Sequence, residues 1–163
     1  MIRVPNTSPL LVLSRLDRLD LLGPPGMLVV TRAVVDEVLD KPDIAAARFS
    51  AWAHSVGPFV DSIVSERVDP SRSLGPGERS VLAVAVAAVD PVLCILDDAA
   101  ARAEARRLGV LFTGTLGLIL RARLEGRLDA AAPLIAEAVE AGLYLDDGVI
   151  AAALARVGER WPH

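Results

Sequence analysis

The sequence predicts an α/β protein with a mainly parallel sheet between helices. Three observations carry this. Short, nearly all-apolar runs recur at residues 2–4, 27–30, 59–64 and 92–96, with a weaker one at 110–112; strands covered on both faces read this way. Longer helical stretches fall between them. Breakers separate the two kinds of segment: "GPPG" at 23–26, "KPD" at 41–43, "GP" at 57–58, "GPG" at 75–77 and Gly109. Alternation of this sort produces βαβ crossovers, which join parallel strands.

The first run, residues 2–4, leads into Pro5 and Asn6; Ser8 and Pro9 are the expected cap and first residue of a helix over 9–22, broken near Leu16. The strand at 27–30 ends at Thr31, a good cap for a helix over 32–39. A helix over 44–54 and the strand at 59–64 follow, then a very apolar helix over 76–89. The strand at 92–96 ends in Asp97 and Asp98, which open a helix over 99–108. After the weak strand, "FTGTLGLIL" at 112–120 starts a helix over 116–124, and two more over 131–141 and 149–157 make the last third all helical. There is no internal repeat, low-complexity tract or linker, so residues 1–163 are expected to form a single domain.

Apolar residues make up 53% of the chain but aromatics only 4%, so the core must be aliphatic. No apolar run approaches the roughly 18 residues that span a bilayer, and no export signal opens the chain; a cytoplasmic protein without a membrane partner is expected. Cys94, in "PVLCIL", is the single cysteine and reads as a buried thiol. One cysteine supports neither a disulfide framework nor a Cys/His metal site. His54 and His163 are isolated and read as non-catalytic. The net charge of −4 argues against a broad basic surface for duplex nucleic acid, though not against a local basic rim.

Several acids stand at element boundaries. Glu37 lies in a helix directly after a strand, Glu78 in the first turn of the apolar helix, and Asp97 and Asp98 at a strand end. Each has a structural explanation: Asp97 or Asp98 as a helix cap, Glu78 as a complement to the positive helix end, Glu37 on a solvated face. Together they suggest more. Asn6 and Asp97/Asp98 fall at strand C-termini, and in a parallel sheet those ends share the edge where ligands bind. Clustered carboxylates repel unless a cation neutralises them. Only hard oxygen ligands are available, which suits Mg²⁺ or Mn²⁺, and such a site assists phosphoryl transfer. Thr113 and Thr115 flank Gly114. They read either as a turn with Thr115 as cap or as a hydroxyl turned into the site. Arg102 and Arg106, one helical turn apart, could touch a phosphodiester backbone or form a solvated face with Glu104 and Arg107.

The ordered segments "NTSPLLVLSRLDRLDLL", "VVTRAVVDEVLD", "LGPGERSVLAVAVA", "ILDDAAARAEARRLGV" and "TGTLGLILRARLEGRL", with the tail "PLIAEAVEAGLYLDDGVIAAALARVGE", resemble the PIN-domain family, in particular the PIN-like branch related to VapC toxins. The resemblance implies a three-layer α/β/α sandwich with a helical C-terminal third. It also implies a metal-dependent ribonuclease, often a dimeric toxin held by a small antitoxin. The family's first acid falls on Asn6, its second on Glu37, its central helix acid on Glu78 and its strand-end acid on Asp98 beside Asp97. Its late polar position falls on Thr113 or Thr115. The expected metal ligands are therefore Asn6, Glu37, Glu78 and Asp98, with Asp97 and Thr115 orienting water. The expected partners are RNA, a possible antitoxin and a second copy of the chain. The departure at Asn6, an amide where the family carries an acid, leaves a catalytically weakened binding or regulatory module as the alternative.

Overall fold

Three short parallel strands, β1 (Arg3–Pro5), β2 (Leu93–Ile95) and β3 (Leu111–Thr113), form the central sheet in that order. The computed structural model describes residues 1–162; His163 lies outside the described residues. Register pairs Pro5 with Ile95 and Ile95 with Thr113, so the three C-terminal tips are level. Around the sheet run α1 (Thr7–Arg15), α2 (Arg32–Leu39), α3 (Ile44–Val56), α4 (Pro76–Ala87), α5 (Ala99–Leu108), α6 (Thr115–Leu124), α7 (Ala132–Glu140) and α8 (Asp147–Ala155). α4 packs on β1 and β2 with α2 and α5 beside it; α1 packs on α3 and α6, and α6 on β3, α7 and α8. This is the α/β/α layering that strand–helix alternation requires.

Two of the five expected strands are reduced to single parallel bridges, Arg3 with Leu28 and Thr31 with Val60. The cause is local. Thr31 turns the chain at once into α2, its hydroxyl accepting from the Val34 N–H at 3.4 Å. Val60 bonds to the Val30 carbonyl and the Arg32 N–H, at 3.0 and 2.8 Å, and the chain then leaves the sheet. Residues 61–64 are exposed.

The helix expected over 9–22 stops at Arg15; Asp17 takes a left-handed φ of 55° and a separate 3₁₀ turn covers Leu19–Leu22. Its start also differs. Asn6, not Ser8, holds the cap position, and Pro9 is the third helical residue rather than the first. A cap side chain bonds to the second or third N–H of its helix, and proline has none to give. Asn6 accordingly makes no cap bond. α8 begins two residues earlier than expected because Asp146 caps it through the Gly148 N–H at 2.8 Å.

The core is aliphatic, as composition demands: Leu10, Leu13, Leu21, Leu82, Ile95, Ile119 and Ile135 are fully enclosed, with Phe49 the one aromatic among the largest buried side chains. Cys94 sits in this core, and burial pushes its thiol up to about 12. Among the described residues no helix is long and apolar enough to cross a membrane.

Candidate metal and nucleic-acid site

The level strand tips bring the polar residues together. The Asn6 N–H bonds to the Ile95 carbonyl at 3.0 Å and the Leu96 N–H to the Thr113 carbonyl at 2.8 Å, so Asn6, Asp97 and Thr115 leave the sheet along one edge. α2 and α4 supply Glu37 and Glu78. These helices are tied by a buried hydroxyl pair, Thr31 with Ser80 at 2.6 Å, and Ser80 donates onward to the Gly77 carbonyl at 2.7 Å.

Glu37 is held at both oxygens: Oε1 accepts from the Gly77 N–H at 2.8 Å and Oε2 from the Thr7 hydroxyl. The first of these bonds depends on glycine, since a Cβ at Gly77 would lie 2.6 Å from Glu37 Oε2. Glu78 reaches back to the Gly75 N–H at 2.5 Å, closing the first turn of α4. Asn6 is 2% exposed, and its Oδ1 is buried with no hydrogen-bond partner. Asn6, Thr7, Glu37 and Glu78 line one cavity of about 380 Å³, with Asp40 and Lys41 also on its wall. A larger, mainly apolar cavity of about 570 Å³, bordered by Ile63, Val64 and Leu74, contains none of these groups.

A second polar pair, outside the lining of this cavity, stands at the tips of β2 and β3. Asp97 Oδ1 accepts from the Thr115 N–H at 2.7 Å and Oδ2 from the Thr115 hydroxyl at 2.6 Å. A Cβ at Gly114 would come within 2.8 Å of Asp97 Oδ1, so this approach also needs glycine. Burial raises the Asp97 carboxyl above its ordinary value, partly offset by the Thr115 bonds and the Arg102 charge.

The expected residues thus divide. Asn6, Glu37 and Glu78 share a cavity, and Asp97 pairs with Thr115. Asp98 is exposed and caps α5 through the Ala101 N–H at 2.8 Å. Thr115 is the first residue of α6, with Gly114 at its cap position, and is completely buried. Thr113 lies against Gly117 rather than the acids. Thr7, Gly77 and Lys41 went unread in the sequence. Thr7 follows Asn6 directly, but nothing in the sequence pairs it with Glu37, 30 positions away; Lys41, the only lysine, lies on the same cavity wall four residues after Glu37.

Among the described residues, no three of His, Cys, Asp and Glu come close enough to hold a metal ion. The donors on the cavity wall are the carboxylates of Glu37, Glu78 and Asp40, the Asn6 amide oxygen and the hydroxyls of Thr7 and Ser8, with the Lys41 ammonium beside them. They fit a hard divalent cation in kind, and the unpartnered Asn6 Oδ1 is the atom that lacks a cation or donor. A buried acceptor of this sort is costly unless something satisfies it.

The parallel sheet, with polar groups level along its tips, defines an α/β/α protein. A family model described as a PIN domain matches residues 2–159, and the chain belongs to the PIN-domain family. No curated protein matches it.

Proposed function

We propose that the chain is a metal-dependent RNA endonuclease of PIN type, working with Mg²⁺ or Mn²⁺. The observation that carries the reading is the buried, unpartnered Asn6 Oδ1 on a cavity wall shared with Glu37 and Glu78. Asn6, Glu37 and Glu78 would hold the cation, which would activate a water and stabilise charge on the scissile phosphate. Thr7 and Gly77 fix Glu37 in that wall. In this reading Asp97, rather than Asp98, is the strand-end acid. Its raised pKa suits a group that takes a proton from the attacking water at Oδ1 or Oδ2, and Thr115 keeps those oxygens oriented.

The role as toxin of a toxin–antitoxin pair, with a small antitoxin and a homodimeric state, belongs to the same proposal. It is supported by the family and by exposed apolar side chains on the helical C-terminal third, Leu124, Val139 and Val149. Light scattering is expected to give twice 17.2 kDa; a monomer at micromolar concentration would contradict the dimer. Calorimetric titration with Mn²⁺ tests the site itself. Glu37→Gln and Glu78→Gln are each expected to weaken binding at least tenfold, and equal affinity in both variants and the wild type would remove the assignment.

A further inference from the structure

α5 carries two arginines that the site described so far does not use. Arg102 and Arg106, one turn apart, both lie over the ring of Phe112 on β3, their guanidinium carbons 5.4 and 5.1 Å from its centroid. Their neighbour Arg107 is fully engaged, bonding to Glu104 at 2.5 Å and to the Arg67 carbonyl at 2.6 Å. Arg79 similarly spends its donors on the carbonyls of Asp69, Pro70, Arg72 and Leu74. Arg102 and Arg106 have neither a carboxylate nor a carbonyl partner among the described residues, and Arg102 Nε is buried without any partner at all.

Two cations held side by side with unspent donors repel each other, and a cation–π contact recovers only about 0.5–1 kcal/mol at an exposed site. The arrangement is completed by an anion that two planar forks can grip. Its place in the fold says which anion. α5 starts immediately after Asp97 and Asp98, and Phe112 precedes Thr113 at the tip of β3. Arg102 is near enough for its charge to act on Asp97. The pair therefore flanks the strand-tip edge, as a local basic rim on a chain of net charge −4.

We propose that Arg102 and Arg106, set by Phe112, form a phosphate subsite that grips the backbone of single-stranded RNA next to the Asp97–Thr115 pair. The identity of the ligand rests on the nuclease reading; the grip on a phosphodiester does not require cleavage.

The test uses the full chain and a fluorescein-labelled single-stranded oligoribonucleotide, kept intact by EDTA and read by fluorescence anisotropy over a range of salt. Arg102→Gln and Arg106→Gln are each expected to weaken binding by about tenfold and to reduce the salt slope by roughly one phosphate contact. Arg102→Lys/Arg106→Lys should keep most of the salt slope while still losing affinity, because it keeps charge and loses the forks. Arg127→Gln, whose arginine is paired with Glu125, should bind as the wild type does. Arg106 is exposed, so its replacement leaves the fold intact. Wild-type affinity and salt slope in Arg106→Gln would overturn the subsite, as would a wild type that does not bind the probe. Binding that requires both arginines, in a protein that cleaves no RNA with either metal, would sustain the subsite and remove the nuclease reading.

Discussion

Replacing Asn6 by aspartate probes the site through stability as well as activity. Asn6 Oδ1 is buried with no partner, and Pro9 denies it the third helix N–H. An ionised carboxylate placed there without a cation has nothing to satisfy it. A modest burial shift of about two pKa units, at about 1.4 kcal/mol each, costs roughly 3 kcal/mol at neutral pH. The positive end of α1 returns up to about 1 kcal/mol, leaving a net loss near 2 kcal/mol. At about 2–4 °C per kcal/mol for a chain of this size, Asn6→Asp should melt about 4–8 °C below the wild type in EDTA at pH 7. The sign of the pH dependence follows. A carboxyl whose folded pKa is raised carries its full cost above that pKa and none below the unfolded value near 3.9. The gap should therefore narrow as pH falls from 7 to 4. Mn²⁺ stabilises both proteins, so at a saturating concentration it should narrow the gap by about 1.4 kcal/mol for each tenfold by which the carboxylate tightens binding over the amide. Melting followed by circular dichroism, with EDTA or Mn²⁺, measures all three. Identical melting in EDTA at pH 7, with no gain from Mn²⁺, would refute the reasoning.

Other perturbations separate the site from the scaffold. Gly77→Ala places a Cβ 2.6 Å from Glu37 Oε2 and 3.0 Å from the Thr7 hydroxyl, which displaces the carboxylate. Alanine's helix preference of up to about 1 kcal/mol offsets part of the lost bond, so RNA cleavage should fall at least tenfold while the unfolding free energy moves by about 1 kcal/mol. Glu104 is held below the usual glutamate range by its bonds from Arg107, against the opposing effect of burial, with help from the Asp69 N–H and the charges of Arg107 and Arg72. Its depressed folded pKa contributes stability above the ordinary value of 4.5 and loses it as pH falls through the folded one. Glu104→Gln should therefore flatten the acid limb of a urea-unfolding series, and an unchanged limb would contradict this. Cys94, with its thiol raised to about 12, should resist iodoacetamide in the folded protein at pH 8 and react only on unfolding, as mass spectrometry would show.

Much of this architecture is legible in the sequence because it depends on local pattern. The apolar run over 92–96, which holds β2 at Leu93–Ile95, and the helix opening after Asp98 are visible directly, as is Thr31 as a cap. What escapes the sequence depends on pairing across the fold. The runs at 27–30 and 59–64 have strand composition, but a ladder needs consecutive partners, and the turn at Thr31 leaves each with one bridge. Asp97 and Asp98 are adjacent acids with equal claims in sequence. Only the path of the chain shows that Asp98 caps its own helix while Asp97 crosses to Thr115. The hold of Thr7 on Glu37 spans 30 positions and has no local signature. The Ser8-Pro9 pair suggests a cap two residues beyond where it falls: the helix begins at Thr7 with Asn6 in the cap position, although the Asn6 side chain makes no cap bond.

The most direct measurement is cleavage of single-stranded RNA by the purified chain in Mg²⁺, Mn²⁺ or EDTA, with Glu37→Gln, Asp97→Asn and Asp98→Asn beside the wild type. Metal-stimulated cleavage is expected in the wild type, reduced at least a hundredfold in Glu37→Gln and Asp97→Asn and largely retained in Asp98→Asn. No cleavage by the wild type in either metal, or undiminished cleavage by Asp97→Asn, would contradict the account.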